Sequence, residues 1–120
     1  MLRILRSVGL LAAAVFGLAA CTTKPPPIAR GLPNNIQEYR QAFSERVPTR
    51  FPVGSAETDL RAELLRQHFT IRTAGADLVP YQFSAIVDIP GFCRQTWVIL
   101  WGAQTNQITS IAGNYSQTCL

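Results

Sequence analysis

The residues able to do chemistry in this chain are few. The 120 residues hold one histidine, His68, three cysteines, Cys21, Cys93 and Cys119, and seven scattered acids. A catalytic base needs a nucleophile and an orienting group within reach, and His68, at the end of an expected helix, has no such motif around it. It reads as a surface or cap residue. No His/Cys cluster has zinc-ligand spacing, and neither a glycine-rich phosphate loop nor a Gly-x-Ser-x-Gly elbow occurs. Asp59 and Glu63 share a helix face, where carboxylates are ordinarily solvated. A Cys93 nucleophile served by His68 would compete with a disulfide for the same sulfur. Trp97 and Trp101 could stack a sugar, yet aromatics in a small sheet are usually core. The expectation is a non-enzyme with no catalytic residues, no cofactor and no metal.

Cys21 carries the most informative chemistry. Ahead of it stand Arg3 and Arg6, then the apolar run Val8–Ala20, then small residues at a cut. That is a secretory signal layout, and the run is too short for a membrane-spanning helix, which needs about 20 apolar residues. Leu18-Ala19-Ala20-Cys21 resembles the bacterial lipobox. The resemblance implies that cleavage exposes Cys21 as the new N-terminus and that its thiol carries lipid. Thr22 follows instead of the aspartate that, in such lipoproteins, favours inner-membrane retention. The expected location is therefore the periplasmic side of the outer membrane, with the inner membrane as alternative.

Removing residues 1–20 leaves 120 − 20 = 100 residues, and the formal charge falls from +4 to +2 with Arg3 and Arg6 gone. No dense Lys/Arg run remains, so a nucleic-acid partner is not expected. About a hundred residues suit one domain with a modest core. Cys93 and Cys119 then form an even pair in an oxidising compartment, which favours a disulfide.

Thr22 to Pro33 holds four prolines and Gly31, a composition for polyproline II rather than helix. Residues 21–33 are expected to be a lipidated cysteine with a tether reaching about 30–40 Å, ahead of a domain over 34–120. Asn35 is a candidate N-cap with Glu38 at N3, and Ile36, Tyr39, Phe43 and Val47 share one helical face. Pro48 sets the expected end of that helix at Arg46. Ser55 caps a second helix, with Glu57 and Asp59 in its first turn, Ala56, Leu60 and Leu64 along one stripe, and an end near His68. Thr70–Val79 reads as a connector.

From Leu78 the period becomes two. Tyr81, Phe83, Ala85, Val87 and Ile89 alternate with polar residues, with one slip at Ile86. Gln95–Gly102 is apolar on both faces and Ile108–Tyr115 makes a third strand, giving an antiparallel meander. Facing residues in such a pair have a constant sum. Cys93 and Cys119 sum to 212, as do the residues flanking a loop at Thr105-Asn106-Gln107, so the cysteines meet at the open end of the hairpin. Trp97 then faces Tyr115 and Trp101 faces Ile111. The expected fold is α+β: two short helices covering the tryptophan face of a three-stranded antiparallel sheet. Val98, Leu100, Ala112 and Asn114 lie on the other face, a small mixed patch suited to a partner.

This order of elements, with the helix start at Gly54-Ser55, resembles the small outer-membrane-assembly lipoproteins of the SmpA/OmlA type. That family usually opens its helices with Gly-Met-Thr and follows them with Leu-Gly-x-Pro, and neither is found here. The resemblance implies a periplasm-facing accessory anchored by lipid and acting by contact with an envelope protein. The alternative is a lipid-anchored inhibitor or ligand-binding module of the lysozyme-inhibitor kind, with Thr70–Val79 as its contact loop.

Overall fold

The computed structural model describes residues 24–120, so the expected signal segment and Cys21 lie outside the described residues. Two helices, α1 (Ile36–Arg50) and α2 (Glu57–Arg66), precede four strands: β1 (Thr70–Thr73), β2 (Phe83–Ile89), β3 (Cys93–Gln104) and β4 (Gln107–Cys119). The sheet is antiparallel throughout, in the order β1-β2-β3-β4. The α+β class is as expected. The strand number is not: Thr70–Thr73, expected to be connector, pairs with Phe83–Ile86 and adds an edge strand. The run is too short to show a period, although its β-branched residues favour extended backbone.

The Asn35 side chain caps α1, accepting from the backbone N–H groups of Gln37 and Glu38 at 3.0 and 3.3 Å. The helix does not stop at Arg46. It runs through Pro48 to Arg50, and the Phe51 N–H still reaches the Val47 carbonyl at 2.9 Å. Val47 and Phe51 are both buried on either side of the proline, so packing overrides the local preference. The start of α2 also differs. Ser55 bonds Pro52, and the orphan N–H groups of Glu57 and Thr58 are met by Asn106 in the β3–β4 turn, both at 3.0 Å. A hairpin tip therefore caps a helix 48 residues away in sequence. His68, at φ 67°, turns the chain out of α2, and Phe69 N–H bonds the Leu64 carbonyl.

The β3–β4 register matches the constant-sum expectation over most of its length. Cys93 faces Cys119, Trp97 faces Tyr115 and Trp101 faces Ile111. The loop is one residue shorter than expected. Thr105 and Asn106 both have positive φ, as in a type I′ turn, and a bulge between Gly102 and Ala103 absorbs the difference. The core lies between the helices and one sheet face. Phe43, Val47, Leu60 and Leu64 pack there with Ala85, Trp97, Ile99, Trp101 and Tyr115, all buried.

Most of the segment expected to be a tether packs on the domain. Pro27–Ala29 forms a 3-10 turn whose Ile28 and Ala29 are buried in the core, and Leu32 packs against it. Gln67 Oε1 accepts from the Ile28 N–H at 2.8 Å, and Arg46 Nη1 donates to the Ile28 carbonyl at 3.1 Å and to that of Arg30. The proline run thus leads into the core. Pro25 is already half-buried, so residues 25–33 belong to the domain and not to a 30–40 Å spacer.

Candidate functional site

Alternation sorts the sheet into two faces. On the helix side both indoles are fully buried and their N–H groups are satisfied. Trp97 Nε1 donates to the Tyr39 hydroxyl at 3.0 Å, and Trp101 Nε1 to Glu57 Oε2 at 2.8 Å. Glu57 also pairs with Arg61 at 3.2 Å, and the Arg61 guanidinium lies over the Phe83 and Trp101 rings at 4.4 and 5.4 Å. Sugar stacking on the tryptophans is thereby excluded. Burial raises the Tyr39 phenol above its usual range, against the bond from Trp97 and the nearby Arg46. Tyr115 is raised by burial first and by Tyr39 second.

Among the described residues neither α1 nor α2 packs on the opposite face. Val98 and Leu100 are half-buried there, Ala112 is half-buried and Asn114 is exposed. The register aligns Ile86, Val98 and Asn114 in one row and Ser84, Leu100 and Ala112 in the next. The four residues expected on this face do lie together. Sequence reasoning missed Ile86 as their neighbour, although its break in the alternation was the signal. This apolar residue in a polar position of β2 is the fifth member of the patch.

Polar groups close the patch at one end. Asp88 accepts two bonds from Arg94 Nε, at 3.0 and 2.9 Å, and one from Thr96 Oγ1 at 3.1 Å. The Arg94 bond holds the exposed Asp88 carboxyl below its usual range. At the other end the β1–β2 connector folds in, so a Cβ on Gly102 would stand 2.8 Å from the Pro80 carbonyl. Leu78 and Val79 of that connector are exposed, and the Ser110 hydroxyl beneath it is buried without a hydrogen-bond partner.

Cys93 and Cys119 form a disulfide across the end of the hairpin. Cys93 therefore has no thiolate to offer His68, which is exposed at the end of α2. Asp59 is exposed, whereas Glu63 bonds Gln67 at 2.7 Å and pairs with Arg66. Among the described residues no three His, Cys, Asp or Glu side chains converge as metal ligands, and no helix is long and apolar enough to cross a membrane.

Comparison with known protein families, with characterised proteins and with solved structures yields no match.

Proposed function

We propose that the chain is a lipid-anchored lipoprotein of the bacterial envelope, facing the periplasm from the outer membrane and acting by protein–protein contact. Cys21 is its anchor. The observation that carries this reading is Leu18-Ala19-Ala20-Cys21 placed directly after a basic head and a short apolar run. The disulfide fits an oxidising compartment, and the uncovered sheet face offers a mixed apolar and polar surface. Val98, Leu100 and Ile86 are the apolar centre of the contact, with Ala112 and Asn114 beside them.

Two measurements test it. Mass spectrometry of the N-terminal peptide should find Cys21 as the first residue, with lipid on its sulfur; an unmodified Cys21 or an intact Met1 end refutes the anchor. A photocrosslinker at Leu100 should give one discrete adduct with an envelope protein, lost on Val98→Lys without loss of folding. Adducts that survive Val98→Lys refute the docking face. If Val98→Lys unfolds the domain while Trp101→Lys does not, the faces are assigned the wrong way round.

A further inference from the structure

A groove of about 1110 Å³ runs along the β1–β2 edge of the sheet, between Lys24–Pro27, the end of α2 and the last residues of β2. Its lining includes Lys24, Arg30, Arg66 and Arg72, with Asp88 as the one acid. Four cations against one carboxylate give a formal +3, which exceeds the +2 of all residues after position 20. The charge of this protein is therefore concentrated on one edge. Asp88 is engaged by Arg94, and Arg66 by Glu63; Lys24, Arg30 and Arg72 have no ion-pair partner among the described residues.

Position gives this charge its meaning. Lys24 follows Cys21 by three residues, which span at most about 10 Å when fully extended. The Pro27–Ala29 turn is itself pinned to the domain through Gln67 and Arg46, so the groove cannot swing away on a long leash. The screening length in physiological salt is about 8 Å, so headgroup charge is largely screened when that link is fully extended and acts on the groove when the link is drawn in. We infer that this groove docks on an anionic phospholipid surface, fixing the orientation of the domain on the membrane that holds it. The inference rests on the reading of Cys21 as the anchor. The open sheet face adjoins the groove through Arg72 and Ile86, so docking would hold that face beside the bilayer.

The test uses the mature lipidated protein in nanodiscs of phosphatidylcholine, with or without phosphatidylglycerol, read by amide hydrogen exchange. Docking predicts slowed exchange over residues 24–30 and 66–73 in the anionic discs alone, reversed by high salt and by Lys24→Gln/Arg30→Gln/Arg72→Gln. Equal exchange in both discs overturns the inference while leaving the anchor intact. If the same sample shows Cys21 without lipid, the anchor fails separately. Sedimentation of that chain with phosphatidylglycerol vesicles then decides the groove. Each lost charge should weaken binding about fivefold at low salt, and a charge-neutralised triple variant that sediments like the parent overturns the assignment.

Discussion

Substituting Gly113 by alanine sets two opposing effects against each other, and the structure decides between them. Glycine in a strand interior ordinarily costs about 0.5–1 kcal/mol relative to alanine, because it loses more backbone freedom on folding. On that ground alone Gly113→Ala should stabilise β4. Yet α1 crosses the sheet at this point. A Cβ on Gly113 would stand 2.4 Å from Val47 Cγ2, 2.9 Å from its Cβ and 3.3 Å from Phe43 Cε1. Val47 and Phe43 are both fully buried, and a β-branched side chain on a helix has little rotamer freedom with which to yield. Forcing a methyl group into a packed core costs about 1–3 kcal/mol, which outweighs the propensity gain. The expected net is a loss of up to about 2.5 kcal/mol from those two ranges. For a domain of this size each kcal/mol lowers the melting temperature by about 4–8 °C. Urea unfolding followed by the fluorescence of the buried Trp97 and Trp101 measures it. Val47→Ala in the Gly113→Ala background should recover part of the loss, with a coupling of about 0.5–3 kcal/mol between two residues in contact. A stabilising Gly113→Ala, or additive effects of the pair, refutes the close crossing of α1 over β4.

Replacing Cys93 and Cys119 by serine releases a bridge across 26 residues. Chain-entropy arithmetic for that separation puts the loss at about 3.5 kcal/mol, and a melting temperature that hardly moves would refute a structural role. The two phenols give a pH test. Their folded values lie above the ordinary 10.0, so the stability they add is complete below about pH 10 and is lost as pH rises through the folded values. Unfolding curves across the alkaline range, with tyrosinate absorbance, check the sign; stability that rises above pH 10 contradicts it. Tyr39→Phe also strands the buried Trp97 N–H, at about 1–3 kcal/mol, and should lower the onset of Tyr115 ionisation.

The hairpin was legible because two constraints of different kind agreed. The cysteine pair and the apolar pattern give one register, so the tryptophan face and the open face followed from parity. What escaped depended on contacts distant in sequence. β1 is four residues long, too few for a period, and exists because β2 offers an edge beside it. Pro48 argued locally for a helix end, while burial of Val47 and Phe51 carried α1 past it. The proline run argued for a spacer, and nothing local shows that Gln67 and Arg46 wait to bind its backbone.

The same division applies to the surfaces. The open face was legible except for Ile86, whose apolar side chain in a polar position looked like noise along β2. It gains meaning only across strands, where it stands beside Val98. The basic groove was invisible because its cations come from the N-terminal segment, the end of α2 and β1, so no window of sequence holds more than two of them. Net charge concealed it as well: the remaining cations are answered by acids elsewhere, leaving only +2 after position 20. Pinning residues 26–30 to the core gathers those cations at the end from which the chain leads back to Cys21. On the proposal that Cys21 carries the anchor, a long tether would let the domain turn freely above a bilayer, whereas three residues between anchor and domain would impose an orientation. Under that proposal, the packing of Pro27–Ala29 on the domain is what would turn a scattered set of charges into a surface with a direction.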